Sequence, residues 1–505
     1  MTVRQTARER RGGSRWRAAA GAIVAALVLG GFYLASYGDC VDDFFYLDDF
    51  ALMGQASHVR TLADWPLFFV PAKTFLLYRP ACVMYFSLLH RVFGYDAIGY
   101  HAVHLGLHVA TGLVVYGLAA RLLASRPLGL ATALLYATAP GHAIAACWIA
   151  LCTMTATAFF YLLGLVCWLG RGTARWRWWA TLACFVLAVL SSEHGVTFPV
   201  ALTAAAVLLE PGRTWRAVAR EQAPFYALAL AYGTAKLVYV FFIFPHALTP
   251  DERTFIRWAY GTTFAPAAVL LNLGRYLGHA LDLAHGLATA PGPALAAAGV
   301  VLVAAAGTTL LALRPGVPAT IRIVAFGLDL FVIALGPVLI LREHLFSYYV
   351  GTATEGLALA LVGLARALPG VRRLAPAALV VAALATHVFV TARSVREGGE
   401  FGMYRGFARQ AATWLRTVSQ RVAGAHVAEV VVPEEPVTRV VFEIGEAHRL
   451  LLCADWAVTT STAIDGVAAA PERVVVRTPD PPLPEDEASP RTWPWLRAHC
   501  PSPPS

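Results

Sequence analysis

The chain has 505 residues, of which 58% are hydrophobic and only 14% charged, and its formal net charge is +9. Soluble domains carry about a quarter charged residues, so this composition, with a mean hydropathy of +0.60, excludes a water-soluble globular fold. It also excludes nucleic acid as the partner, because of where the positive charge lies. Basic residues gather at 4–17, Arg121/Arg126, Arg171/Arg175/Arg177, Arg213/Arg216/Arg220, Arg314/Arg322 and Arg366/Arg372/Arg373. Each cluster stands just outside an apolar run in every second loop, the bias that orients a membrane protein.

Residues 1–17 read as a basic cytoplasmic N-terminus, and the apolar run at 18–37 as a retained signal anchor. An acidic, aromatic stretch follows, giving a first external loop over 38–97 whose segment 80–93 is amphipathic and lies along the interface. Further spans are expected at 98–123, 128–146, 150–170, 178–193, 196–210, 224–244, 294–313, 322–341, 352–366 and 374–392. The total is about eleven helices. An odd count places the C-terminus outside. A second external loop covers 246–293, with Trp258, Tyr260 and Tyr276 in interfacial helices. The fold class is therefore an α-helical integral membrane protein of the inner (plasma) membrane, with residues 18–392 as its transmembrane domain. Beyond 393, Met403, Phe407, Ala411, Trp414, Leu415 and Val418 recur at helical spacing. β-branched runs at 426–432, 438–443, 449–460 and 472–477 come next, then a Pro-rich tail. Residues 393–505 thus read as a small external α/β domain.

The eight cysteines show no metal-type CxxC spacing. Cys147, Cys152, Cys167 and Cys184 read as apolar filling in or near spans. Cys40 with Cys82, and Cys453 with Cys500, are the candidate disulfides of the outer compartment.

The most unusual stretch is the first external loop, with Asp39, Asp42 and Asp43 followed by Tyr46-Leu47-Asp48-Asp49-Phe50. A single Asp at the centre of a membrane helix costs roughly 3 kcal/mol, a cost that a hydrated loop largely removes. Paired acids among aromatic rings fit a cleft floor where one carboxylate acts as a base and its neighbour orients it. They equally fit a solvated acidic loop or a helix N-terminus. Tyr78-Arg79-Pro80 offers a cation before a proline-started helix, suited to a phosphate or to interfacial anchoring. His101, His104 and His108 share one helix face, either as ligands or as interhelical hydrogen-bonding groups. Ser192-Glu193-His194, ahead of Pro199, breaks an apolar run. Arg342-Glu343-His344-Leu345-Phe346-Ser347-Tyr348-Tyr349 brings a cation and aromatic rings to the start of a late span.

In this order, the motifs resemble the multispanning glycosyltransferases of the GT-C superfamily. That superfamily includes polyprenol-phosphate-sugar-dependent protein O-mannosyltransferases and lipid A aminoarabinose transferases. The likeness is carried by Asp48-Asp49, by Tyr78 to Phe93, by the His-containing span, by Ser192-Glu193 and by Tyr348-Tyr349, over most of residues 20–392. The resemblance implies a polyprenyl-phosphate-linked sugar donor and transfer, with inversion, to a hydroxyl of a lipid, glycan or protein acceptor on the outer face. It implies Asp48 or Asp49 as the base, with Arg79 and then Arg342 as phosphate ligands. Tyr78, His101, His104, Glu193, Tyr348 and Tyr349 become candidate substrate-binding residues. A divalent metal beside the loop acids is left open, since some members use one and others do not. The sequence departs from the family in its earlier acidic pair, Asp42-Asp43, and in lacking a basic-plus-tyrosine run near Tyr348. A transporter or lipid-linked-sugar flippase is the alternative of another class. It calls for midplane charges and internal repeats, whereas here the charges gather at the outer ends and no repeat is evident.

Overall fold

A computed structural model describes residues 3–45, 48–57, 59, 61–69, 79–239, 242, 261–281, 290–367, 374–397, 400–423, 428–433, 435, 441, 457–461, 464–467 and 473–477. The chain is a polytopic α-helical protein. Five of its described helical segments are long and apolar enough to cross a membrane: Ala19–Asp42, Ala97–Leu122, Ile149–Leu169, Pro291–Ala312 and Ala319–Leu339.

Helix α1 runs Val3–Tyr37, so the basic N-terminus continues into the first span without a break. Two short helices, α2 (Asp48–Ser57) and α3 (Pro80–Phe93), follow. Pro80 starts α3, where its missing N–H costs nothing. Gly94 ends it with φ 58°, donating its N–H to the His90 carbonyl at 2.8 Å. That left-handed turn is one a residue with a side chain rarely adopts. Helix α4 (Ala97–Leu122) is capped by Asp96, whose carboxylate accepts from Ile98 N at 3.2 Å.

The span expected at 128–146 is divided. Helix α5 covers Arg126–Ala137 and a short α6 covers His142–Cys147, separated by a turn through Pro140 and Gly141. Proline removes a donor from the ladder, and the chain turns there instead of continuing. Helices α7 (Cys152–Leu169), α8 (Trp176–Ser191) and α9 (Phe198–Leu209) come next, with a 3-10 turn at Glu193–Thr197 joining the last two. Helix α10 spans Trp215–Val238, starting well before the expected 224 because Thr214 caps it through Ala217 N. The second external loop holds α11 (Pro266–Leu281). Within it Tyr276 is buried instead of interfacial, while Trp258 and Tyr260 lie outside the described residues.

Helices α12 (Pro291–Ala312), α13 (Ala319–Leu339), α14 (Ala353–Ala367) and α15 (Ala375–Glu397) complete the bundle. Helices α13 and α14 meet backbone to backbone. A Cβ on Gly327 would stand 2.6 Å from the Gly356 carbonyl oxygen, and one on Gly356 would collide with that of Gly327. Small residues permit this close approach where lipid supplies no hydrophobic drive.

Among the described residues, Arg121, Arg171, Arg213 and Arg366 gather at one end of the bundle. Arg121 donates to the Leu169 carbonyl and Arg366 to that of Leu123. Arg171 reaches Glu210 at 2.6 Å and Glu221 at 2.5 Å, and Arg213 pairs with the same two acids. The opposite end holds the disulfide. Cys40 is bonded to Cys147, with Cα atoms 5.3 Å apart, which corrects the expected Cys40–Cys82 pairing. Cys147 is carried back to Cys40 by the break at Pro140, so it is a cross-link and not apolar filling. Cys453 and Cys500 lie outside the described residues.

After α15 comes the amphipathic α16 (Glu400–Val422). Among the described residues a three-stranded parallel sheet follows, ordered β2-β1-β3, with β1 at Glu429–Pro433, β2 at Ala457–Ser461 and β3 at Arg473–Val475. Val430 pairs with Val458 on one side and Val474 on the other. Trp414, Leu415 and Val418 of α16 pack with Val430 and Val432 in the same buried cluster that contains Phe50, Phe86, Trp148 and Tyr348.

Candidate active site

Three helices begin at one place. Asp49, in the first turn of α2, is fully buried, and its Oδ1 accepts a hydrogen bond from Ala150 N at 2.7 Å. Ala150 lies in the 3-10 turn Ile149–Leu151 that leads into α7. Arg79, the N-cap of α3, donates from Nη1 to Thr153 Oγ1 of α7 at 3.4 Å. The N-termini of α2, α3 and α7 therefore converge, and their aligned peptide dipoles favour negative charge at the convergence.

Arg79 also meets Glu193 with two donors, Nη2 to Oε1 at 2.9 Å and Nε to Oε2 at 3.4 Å. The guanidinium side chain is 9% exposed and the carboxylate 30%. Such a planar fork fixes direction as well as charge. Lys236 of α10 is within electrostatic reach of the pair. The sequence reading overlooked it, although an ionisable residue inside an expected span is itself a signal of function.

Asp48 differs from its neighbour. It is exposed to solvent although it lies deep among protein atoms. Burial raises its carboxyl pKa and the nearby Arg79 guanidinium lowers it, and burial prevails. The two adjacent carboxylates thus have separate surroundings. Asp49 serves the backbone, and Asp48 faces the open space.

An aromatic wall closes the other side. The His194 ring stacks on Tyr349 at 5.2 Å and 24°. Tyr349 meets Tyr348 at 4.7 Å and His344 at 5.8 Å, and Tyr348 stands edge-on to Trp148 at 6.2 Å. Burial pushes the pKa of both imidazoles down to about 4. For His194, Glu193 opposes and Arg79 adds to that shift; for His344, Arg79 adds to it and Glu193 opposes. Both rings are neutral near pH 7 and present apolar faces to the site.

Of the expected site residues, the structure brings Asp48, Asp49, Arg79, Glu193, Tyr348 and Tyr349 to one end of the bundle. Tyr78 lies outside the described residues. The Nε2 atoms of His104 and His108 both approach the Ala145 carbonyl, at 2.6 and 3.0 Å. That contact secures α6 against α4. His101 is buried on α4, one turn before His104. Arg342 is exposed, and its backbone N donates to the Gly261 carbonyl at 2.9 Å. The turn between α13 and Arg342 is anchored by Asn272, which the sequence reading missed. The Asn272 amide donates to the carbonyls of Leu339 and Leu341, at 2.9 and 2.7 Å, satisfying the end of α13.

Among the described residues no group of three or more His, Cys, Asp or Glu side chains is placed to hold a metal ion. Asp49 is turned to Ala150 N and Glu193 to Arg79.

No protein-family model matches the chain, and no curated protein matches it. Among solved structures, it is similar to ArnT from Cupriavidus metallidurans bound to undecaprenyl phosphate, at 14% identity. That match covers 84% of each chain with a TM-score of 0.46. The apo state of the same protein matches at 15% identity over 86% of this chain and 85% of that one, with a TM-score of 0.37. The archaeal oligosaccharyltransferase AglB from Archaeoglobus fulgidus, in complex with an inhibitory peptide and a dolichol-phosphate, matches at 13% identity. It covers 86% of this chain and 64% of that one, with a TM-score of 0.43. Superposition this loose carries no residue across, so each side chain's role follows from its own contacts.

Proposed function

We propose that the chain is a membrane glycosyltransferase that moves a sugar from a polyprenyl-phosphate donor to an acceptor hydroxyl at the outer face, with inversion. The observation that carries this reading is the pairing of a solvent-reached acid, Asp48, with a forked cation, Arg79, where three helices begin. The order of the sequence motifs supports it independently.

Each group has a task in such a transfer. Asp48 takes the proton of the acceptor hydroxyl as its oxygen attacks the anomeric carbon. The bond from that carbon to the phosphate oxygen breaks, and polyprenyl phosphate leaves as an anion. Arg79, supported by Lys236 and the helix N-termini, stabilises the charge that develops on the leaving group. Glu193 and Thr153 hold the guanidinium fork in place. Tyr348, Tyr349 and Trp148 provide aromatic faces for the sugar or the first isoprene units. The cationic end of the bundle faces the cytoplasm and the site faces outward. The Cys40–Cys147 disulfide on the site's side agrees with an oxidising compartment there.

The test is transfer from a radiolabelled panel of polyprenyl-phosphate sugars in native membranes. Acceptor-dependent incorporation from one donor supports the reading. Absence of transfer from every donor, with the protein present and folded, overturns it. A transporter or flippase is favoured by one observation only. Glu355 of α14 is fully buried, and neither carboxylate oxygen has a hydrogen-bond partner among the described residues. Such residues often mark a substrate or proton path. Transport that Glu355→Gln abolishes, in a protein that catalyses no transfer from any donor, would support that second reading.

A further inference from the structure

Cys82 and Cys152 are both buried and carry free thiols in this structure. Cys82 lies in the first turn of α3, three residues after Arg79, and Cys152 is the first residue of α7. The two thiols are near neighbours. The Cys82 thiol also points at the Ala150 carbonyl, 3.9 Å away. A separate contact, Arg79 to Thr153, joins the same two helix starts through the neighbouring residues. The proximity of the thiols thus does not depend on one side-chain placement.

Their surroundings bear on their chemistry. The turn Ile149–Leu151 lies between Cys147 and Cys152, and Cys147 is already oxidised in a bond to Cys40. Cys152, only five positions along the chain from Cys147, shares that end of the bundle and that compartment with Cys82. Neighbouring thiols in an oxidising compartment are the ordinary substrates of disulfide-forming machinery.

We infer that Cys82 and Cys152 are a disulfide-forming pair that closes as a second cross-link of the mature protein, tying the Arg79-bearing turn of α3 to the start of α7. This goes beyond the transferase reading and does not depend on it. The reaction is thiol–disulfide exchange with an oxidised dithiol carrier, during folding and before the site is sealed. The thiolate of one cysteine attacks a carrier sulfur, breaking the carrier's S–S bond and forming a mixed disulfide. The second thiolate attacks the protein sulfur of that bond, forming the Cys82–Cys152 bond and releasing the carrier. Two electrons pass to the carrier, whose two thiolates take up the two protons the protein thiols lose.

The test uses the full chain isolated from membranes of cells with an intact outer compartment. The protein is denatured in an alkylating reagent without reductant, digested and analysed by mass spectrometry. The inference expects the peptides containing Cys82 and Cys152 to be joined, two hydrogens lighter than the separate peptides and free of label. Reduction should release both and allow both to be labelled. In Cys82→Ser, Cys152 should become labelled without reduction. Labelling of Cys82 and Cys152 in unreduced wild type overturns the inference, as does linkage of either one to Cys40 or Cys147. None of these outcomes depends on transferase activity, so failure here is distinguishable from failure of the proposed function.

Discussion

Replacing Arg79 by lysine separates geometry from charge at the proposed phosphate site. Directed contacts of Arg79 among the described residues run from Nη2 and Nε to Glu193 at 2.9 and 3.4 Å, and from Nη1 to Thr153 at 3.4 Å. An ammonium is a compact point charge on a flexible stem and cannot keep the fork. In Arg79→Lys the short contact to Glu193 can be remade, while the two long ones are lost together with the guanidinium's fixed plane. Hydrogen bonds to charged groups contribute about 1.5–3 kcal/mol, and 1.4 kcal/mol is a factor of ten in affinity. The loss of one such bond to the donor phosphate therefore raises the donor KM roughly ten- to hundredfold, while net charge is unchanged. Initial rates at varied donor concentration, in purified protein, measure it. A lysine variant with the wild-type KM would show that the site reads charge alone, and the argument from the fork would fail.

Further outcomes follow from the same contacts. If Asp48 is the base, only its ionised form works, so the rate falls as pH drops through its pKa. Because burial raises that pKa, the acid limb of the kcat/KM profile lies above the ordinary carboxylate range. Arg79→Ala, which removes the lowering influence, shifts that limb to still higher pH. Asp49→Ala leaves the buried Ala150 N–H without its acceptor and costs about 1–3 kcal/mol of stability, read by thermal unfolding. Asp49→Asn keeps an acceptor oxygen and costs less. Cys147→Ser opens a cross-link between residues 107 apart in sequence and costs about 2–5 kcal/mol, measured the same way.

The helices were legible because apolar runs and flanking arginines obey simple physical rules, and the acids, Arg79 and Glu193 stood out as charges beside those runs. What the sequence could not give was the division of labour between Asp48 and Asp49. It depends on the Ala150 N–H, about a hundred residues away in sequence, reaching one carboxylate and not the other. The break at Pro140 was missed because an apolar average over 128–146 conceals one proline. That break also returns Cys147 to Cys40, so a local misreading carried over into the wrong disulfide partner. His104 and His108 share a helix face as their spacing indicated, yet the shared carbonyl of Ala145 that occupies them comes from another helix. Lys236 is a single charge inside an otherwise apolar stretch, and its link to Arg79 and Glu193 comes from other helices.

The measurement that tests the central claim most directly compares Asp48→Asn with Asp49→Asn in the polyprenyl-phosphate-sugar transfer assay. Both variants are first checked for insertion and the intact Cys40–Cys147 bond. The account predicts that Asp48→Asn lowers kcat by about 100-fold or more, the scale of general base catalysis, with the donor KM little changed. Asp49→Asn retains most of the activity and loses stability instead. Full transfer by Asp48→Asn, or a kcat loss confined to Asp49→Asn, would contradict the assignment of the solvent-reached carboxylate as the base.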